Sequence, residues 1–248
     1  TSSIGAELAG DKDETKRRLS KFSIPVPDGE IVQSEEEALE AFQEIGAPVV
    51  VKPLDGRQGK GVSLNLSTAE EVINAFRQAQ EYSRNVLIEE LFEGKNYRVL
   101  VIDGKMVAAS ERFPCYVTGD GRHTIAELIE IENQNPLRGE GHEKPLTKIK
   151  FSPILLVSME KEGWKLEDTP AAGEQVMLCA GMNLSTGGTA RDVTDEVHGS
   201  VKILCERAAR LINLDICGVD LVLKDISAPM PKEKGGVIEI NSGPGLTM

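Results

Sequence analysis

Val49-Val50-Val51-Lys52-Pro53-Leu54-Asp55-Gly56-Arg57-Gln58-Gly59-Lys60-Gly61-Val62-Ser63-Leu64-Asn65-Leu66 joins a β-branched run to an alternating apolar and polar run through a glycine-rich connection. The first run reads as a buried strand. The second reads as a half-exposed strand, because a period of two puts Val62, Leu64 and Leu66 on one face. The connection is therefore expected to run from strand to strand. A Walker A loop needs Ser or Thr directly after Gly-Lys and then a helix, whereas Lys60 is followed by Gly61 and an extended pattern. Two readings of the loop stand side by side. Gly56, Gly59 and Gly61 with Arg57 and Lys60 let backbone amides and cations close round phosphate oxygens; an ordinary Asp-Gly turn with solvated cations has the same composition. Lys52 favours the first, since a lysine at the end of a β-branched run and pinned by Pro53 is awkward to leave unpaired. Lys12, beside Asp11 at the start of the first helix, is a second and weaker candidate cation.

Around this stretch, Ser/Thr-x-x-Glu patterns predict helix starts at Ser34 to Glu37, Ser67 to Glu70 and Thr124 to Glu127. Apolar stripes follow, with Ala38, Leu39, Phe42 and Ile45 before a stop at Gly46, and Val72, Ile73, Phe76 and Ala79 after Ser67. A further helix runs through Ile203, Leu204, Ala208, Leu211 and Ile212. Strands are predicted at 49–51, 62–66, 86–90, 97–102, 105–111, 175–178, 219–223 and 237–241, with Asp103-Gly104 as a two-residue hairpin turn. Mixed α+β lobes fit this order better than a doubly wound sheet.

Two strands near the C-terminus carry oxygen-bearing side chains. In Gly236-Val-Ile-Glu-Ile-Asn241, Glu239 and Asn241 share one face and Ile238 and Ile240 the other. If Gly218-Val-Asp-Leu-Val-Leu223 is its neighbour, Asp220 joins them, giving the hard-oxygen set that Mg²⁺ prefers.

The chain has 248 residues, of which 40% are hydrophobic and 27% charged, which suits one large domain or two lobes and excludes disorder. Forty acidic against 28 basic side chains give a formal charge of −12, which argues against nucleic acid as a partner. Neither a membrane-spanning run nor an export leader is visible. Four scattered cysteines without a Cys-x-x-Cys pair suit reduced thiols, so a cytoplasmic protein is expected. The chain opens on Thr1 and stops just after a strand pattern, as expected of a segment cut from a longer polypeptide. No Ser-His-Asp or Cys-His constellation stands out, and His123, His142 and His198 lie in polar stretches.

Asp11-Lys12, Val51-Lys52-Pro53, the Gly-x-x-Gly-Lys-Gly loop at 56–61, Ile88-Glu89-Glu90-Leu91-Phe92 and the Asp220, Glu239, Asn241 set resemble the ATP-grasp carboxylate–amine ligases in kind, order and spacing. A closer resemblance, to the ATP-grasp portion of the cyanophycin synthetase family, covers essentially the whole chain. It is carried by Tyr97-Arg-Val-Leu-Val, Gly119-Asp-Gly-Arg-His-Thr-Ile-Ala-Glu-Leu-Ile, Gly139-Glu-Gly-His-Glu-Lys, Asn183-Leu-Ser-Thr-Gly-Gly-Thr-Ala and Asp195-Glu-Val-His.

The resemblance implies two α+β lobes enclosing ATP, at 1–95 with the phosphate-binding hairpin and at 96–248 with the metal-binding strands and an insertion near 113–172. It implies Lys12 and Lys52 on the phosphates, and Gly56, Gln58, Gly59, Lys60 and Gly61 as a lid. The backbone at Glu89, Glu90 and Phe92 would read adenine, and Asp220, Glu239 and Asn241 would hold Mg²⁺. The ribose position falls on Asn96, where the family usually has an acid. D-alanine ligases carry an arginine where this chain has Gly218, which leaves Arg98, Arg112 and Arg191 as catalytic candidates beside Lys52.

The implied reaction forms an amide through an acyl phosphate, most specifically adding aspartate to the C-terminus of the cyanophycin aspartate backbone. The implied partners are ATP, aspartate and an acidic peptide acceptor, with a Mur-ligase-like domain as covalent neighbour and homo-oligomerisation at full length. The alternatives are a RimK-like or glutathione-synthetase-like ligase, and a non-catalytic nucleotide-binding module.

Overall fold

The chain is described by a computed structural model at residues 3–54, 61–141, 143–179, 182, 184–231 and 234–245. Two helices open it, α1 (Ser3–Gly10) and α2 (Lys12–Lys21). Asp11 caps α2 by accepting a hydrogen bond from the Glu14 amide at 3.0 Å, and Asp13 and Glu14 in its first turn complement the helix dipole. Strand β1 (Gly29–Val32) leads to α3 (Glu35–Ile45), which Ser34 caps and Gly46 ends at φ 82°. Then come β2 (Val49–Pro53), β3 (Ser63–Leu66), α4 (Ala69–Gln80) and β4 (Val86–Glu90). The α4 cap is Thr68 with Glu71, one residue beyond the expected Ser67 and Glu70: each side chain bonds the other's backbone amide, a full capping box.

These strands form an antiparallel sheet in the order β1-β4-β2-β3. One face packs on α3 and α4 through Val49, Val51, Val86, Ile88, Ala38 and Phe76. Alternation sends Val50, Lys52, Leu87 and Glu89 to the other face. The glycine connection of residues 56–60 lies outside the described residues.

Strands β5 (Lys95–Ile102) and β6 (Lys105–Phe113) flank a turn at Asp103 (φ 49°) and Gly104 (φ 67°), the left-handed pair that a two-residue hairpin requires. Within β6 the chain passes from one compact unit, Thr1–Ala109 with Thr194–Pro244, to another, Ser110–Val193 with Gly245–Met248. The second unit holds β7 (Cys115–Thr118), α5 (Ile125–Asn133), the short parallel pair β8 (Arg138–Gly139) and β9 (Leu146–Thr147), α6 (Pro153–Lys161), β10 (Gln175–Cys179) and β11 (Thr189–Asp192). Thr124 and Glu127 form the expected capping box on α5. Cys115, Val117, Ile125, Ile129, Met159 and Leu178 make up this unit's core.

Back in the first unit, α7 (Gly199–Ile212) is capped by His198, whose ring nitrogen accepts from the Ser200 amide at 3.1 Å. Strands β12 (Ile216–Leu223) and β13 (Gly236–Asn241) complete a run in the order β6-β5-β12-β13. Among the described residues no helix is long and apolar enough to cross a membrane. All four cysteines are free and buried, and burial pushes the Cys217 thiol up to about 11.

Candidate functional site

The sequence-predicted residues of the first unit fall on two sheet faces and one helix. In the first sheet, Lys52 pairs with Leu87 and Val50 with Glu89, so Lys52 and Glu89 are diagonal neighbours on one face, within reach of long side chains. The Lys52 ammonium donates to Glu89 Oε1. Lys16, one turn beyond Lys12 on α2, donates to Glu89 Oε2. Glu89 is thus a buried carboxylate with one lysine on each oxygen; the side chains of Lys16, Lys52 and Glu89 keep only 13%, 20% and 6% of their exposure. Burial alone would raise the Glu89 pKa, but the ammonium groups of Lys52 and Lys16 outweigh it and hold the carboxyl below its usual range. Burial lowers the pKa of Lys16, and the nearby Lys52 and Lys12 charges add to the effect against the opposing pull of Glu89. Across the sheet Glu89 faces Gly29, where a Cβ would come 2.8 Å from the Glu89 Cβ.

Lys12 connects this cluster to the second sheet, its ammonium lying 3.4 Å from Glu239 Oε1 on β13. A crevice between α2 and β13 is lined by Lys12, Lys16, Ile238 and Glu239. On β5, β12 and β13, Arg98, Asp220 and Glu239 lie side by side in register, followed by Gly218 opposite Asn241. Arg98 holds Asp220 through both carboxylate oxygens, with Nε on Oδ1 and Nη2 on Oδ2 at 2.7 Å, while the Asn241 amide donates to Oδ2 at 2.9 Å. Burial would lower the Arg98 pKa, but Asp220 and then Glu239 raise it, so the guanidinium stays charged. A Cβ at Gly218 would lie 2.8 Å from Arg98 Cδ, so Arg98 fills the space that a side chain at 218 would need.

Three groups of contacts therefore lie within one unit: Lys16 and Lys52 on Glu89, Lys12 on Glu239, and Arg98 and Asn241 on Asp220, with Lys12 near enough to lower the Lys16 pKa and Glu239 near enough to raise that of Arg98. Asn96, two residues before Arg98 on β5, shares its face and pairs with Val222. The Glu90 and Leu91 amides donate to the Asp28 and Pro48 carbonyls at 2.7 and 3.2 Å, which pins the chain as it leaves β4 ahead of buried Phe92. Gly61 adopts φ 69°, while Gly56, Gln58, Gly59 and Lys60 lie outside the described residues. Arg112 and Arg191 belong to the second unit, where Arg191 Nη2 donates to buried Glu111 at 2.9 Å and pairs with it in register. His123 pairs with Asp120 at 2.6 Å in a turn, and His142 is not among the described residues. Lys16 was not anticipated; its spacing of four from Lys12, the distance at which helix side chains share a face, is the signal that points to it.

The described residues contain no cluster of three or more His, Cys, Asp or Glu suited to a metal. The expected set is of another kind, two carboxylates and an amide on adjacent strands, and oxygen chemistry of that kind suits a magnesium ion that keeps water and phosphate ligands. Glu239 is 38% exposed and Asn241 is two residues along the same face, while Asp220 is already held by Arg98.

An ATP-grasp domain model matches residues 7–95. Over its whole length the chain is 44% identical to the cyanophycin synthetase of Trichormus variabilis, of which it spans 28%. Across 99% of its length it is 38% identical to the glutathione biosynthesis bifunctional protein GshAB of Listeria welshimeri, of which it spans 32%. The crystal structure of a bifunctional glutathione synthetase from Pasteurella multocida superposes with a TM-score of 0.68 at 32% identity, covering 100% of this chain and 34% of that one. The chain thus spans under a third of the length of the curated relatives named here. The D-alanine–D-alanine ligase of Bacillus anthracis, 15% identical, shares the fold at a TM-score of 0.60, covering 98% of this chain and 60% of that one. With the matched model reaching from α1 into β5, and similarity along the whole chain to cyanophycin synthetases on one side and bifunctional glutathione enzymes on the other, the chain has the ATP-grasp fold.

Proposed function

We propose that this chain binds ATP with Mg²⁺ and uses it to join a carboxylate to an amine, adding aspartate to the C-terminal carboxylate of a growing aspartate backbone in cyanophycin synthesis. The observation that carries this reading is that one unit holds both a lysine group, Lys52 and Lys16 on Glu89 with Lys12 reaching Glu239, and an oxygen-bearing group, Glu239 in register with Asp220, which Arg98 holds. The cations suit the phosphates of ATP. The oxygen donors suit a metal.

A carboxylate oxygen of the acceptor attacks the γ-phosphorus of ATP, ADP leaves, and an acyl phosphate forms. The amine nitrogen of aspartate then attacks the acyl carbon, phosphate leaves with the bonding electrons, and the amine loses a proton to solvent. No enzyme nucleophile is needed, so positioning and charge neutralisation are what the side chains supply. Lys12 and Lys52 bind the phosphates. Arg98, held flat by Asp220 and given room by Gly218, occupies the place that an arginine at 218 would take and neutralises oxygen charge in the transition state. Glu239 and Asn241, with Asp220 as the third oxygen donor, would hold Mg²⁺, which would supply neutralisation of phosphate charge. Arg112 and Arg191 are assigned to the acidic acceptor, and the segment 56–61 to closure over the nucleotide.

A second reading, a glutathione-type ligase, is favoured by the 38% identity to the Listeria protein. Phosphate release by the full-length protein, with ATP, Mg²⁺, aspartate and an aspartate-backbone primer omitted one at a time, separates the two. Dependence on all four supports the proposal. Release that ignores aspartate and primer but responds to glutamate or dipeptide substrates supports the second reading. A melting shift with ATP and no phosphate release under any combination identifies a nucleotide-binding module without catalysis.

A further inference from the structure

Glu89 presents a physical problem that the phosphate-binding role of Lys52 does not solve by itself. If Lys52 is to turn its ammonium toward an anionic ligand, it must loosen its hold on a carboxylate that keeps only 6% of its side-chain exposure. Stripping the partner from a buried carboxylate is costly, because the charge can neither reach water nor stay comfortably in the interior. A lone Lys52–Glu89 pair would therefore resist the ligand.

The second lysine removes that resistance. Lys16 reaches Glu89 from α2 and takes the other oxygen, so the carboxylate keeps a partner when Lys52 lets go. Lys16 is the more buried of the two ammonium-bearing side chains, at 13% against 20%, and the better suited to stay. The formal charge of the trio is +1, which leaves one cation in excess for a phosphate. No side chain from β1 can take over this task, since the residue opposite Glu89 is Gly29, with no room for even a Cβ.

We infer that Lys16 is a positioning residue: by keeping Glu89 paired, it sets how readily Lys52 is released to an anionic ligand. This rests on the nucleotide-binding reading above, and it adds to that reading a residue that acts through Glu89.

The test compares Lys16→Met, Lys16→Gln, Glu89→Gln and the double variant Lys16→Met/Glu89→Gln in the full-length protein. The readouts are calorimetric affinity for a non-hydrolysable ATP analogue with Mg²⁺, and KM and kcat for phosphate release. Lys16→Met is expected to weaken analogue binding and raise the KM for ATP roughly tenfold, the scale of disturbing one close charge pair, with kcat changed less than about threefold. Adding Glu89→Gln is expected to restore most of the lost affinity, because the carboxylate that retains Lys52 is gone. A Lys16→Met protein with wild-type affinity overturns the inference. So does a loss that Glu89→Gln fails to restore, which would mean direct contact with the nucleotide or a purely structural role. Lys16→Gln, which keeps a hydrogen-bond donor, carries the same comparison if the Met variant does not fold. Wild-type protein that binds no analogue overturns the nucleotide reading itself, whereas normal wild-type binding with an unaffected Lys16→Met overturns only the role of Lys16.

Discussion

Arg98 and Gly218 interlock: a Cβ on the glycine would lie 2.8 Å from Arg98 Cδ and 3.0 Å from its Nη1, so the guanidinium reaches Asp220 only because position 218 has no side chain. The backbone at Gly218 is not in the left-handed region, which makes the requirement one of space alone. Gly218→Ala is therefore expected to displace Arg98 and lower kcat for phosphate release roughly tenfold or more, as sub-ångström misplacement of a charge-stabilising group does. An alanine variant at the wild-type rate would remove Arg98 from the mechanism.

Lys52→Ala removes a cation from the first sheet and Glu239→Ala a carboxylate from the second, and each is expected to lower turnover roughly 10²-fold by removing one preorganised charge. Steady-state phosphate release in the full-length protein is the measurement. Turnover within about threefold of wild type in either variant would count against the assigned role.

Gly29→Ala tests the packing around Glu89. The new methyl would come 2.8 Å from both the Glu89 Cβ and the Ile88 carbonyl oxygen, and backbone moves less readily than side-chain ends. A loss of about 1–3 kcal/mol in chemical denaturation is expected, in the range of overpacking changes.

In the second unit, Arg138 is a buried bracket. Its side chain, 1% exposed, donates to Glu132 at 3.0 Å, to the Thr147 carbonyl at 2.8 Å and to the Gly187 carbonyl at 3.1 Å. Arg138→Ala strands those acceptors and leaves a void. A destabilisation of about 2–5 kcal/mol is expected, read as a lower midpoint in thermal or denaturant unfolding.

The Asp120–His123 turn predicts a pH dependence of defined sign. The Asp120 side chain accepts from the His123 amide, the His123 ring and the Arg122 amide, and these bonds hold its pKa well below the usual carboxylate range. Hydrogen bonding to Asp120 and its negative charge raise the His123 pKa. The imidazolium contribution to stability is therefore complete below the unfolded histidine value of about 6.5 and fades as pH rises through the higher folded value. The carboxylate contribution is complete above about 3.9 and is lost as pH falls toward the lowered folded value. An NMR titration of the His123 ring is expected to give a midpoint above 6.5 that drops in Asp120→Asn; a midpoint unmoved by that substitution would show that the pair is not coupled.

How far the sequence could be read depended on whether a local rule or a long-range register decided the outcome. The Thr124 capping box, the Asp103-Gly104 turn and the stop at Gly46 are local, and each was visible in a few residues. The shared face of Glu239 and Asn241 follows from strand alternation alone. That Asp220 sits beside Glu239 depends on β12 pairing with β13, and an irregularity just past Asp220 shifts the register in a way no pattern in either strand foretells. Strand β1 escaped notice because only Val32 of its four residues is buried, so no alternation marks it. Lys16 was hidden in the opposite way: Lys-Asp-Glu-Thr-Lys-Arg-Arg reads as a solvated helix face, and only the approach of β4 makes one of its lysines an interior group.

The hydrogen bond from the Ala109 amide to the Thr194 hydroxyl, 3.0 Å long, fastens together the two points where the backbone departs from the first unit and rejoins it. An interruption whose ends are clasped in this way behaves as a graft. Whatever lies between the clasped ends can change in length or be exchanged for another sequence while the strands that hold Arg98 and Asp220 keep their pairing, which leaves evolution or an engineer free to alter one part of the chain without redrawing the other.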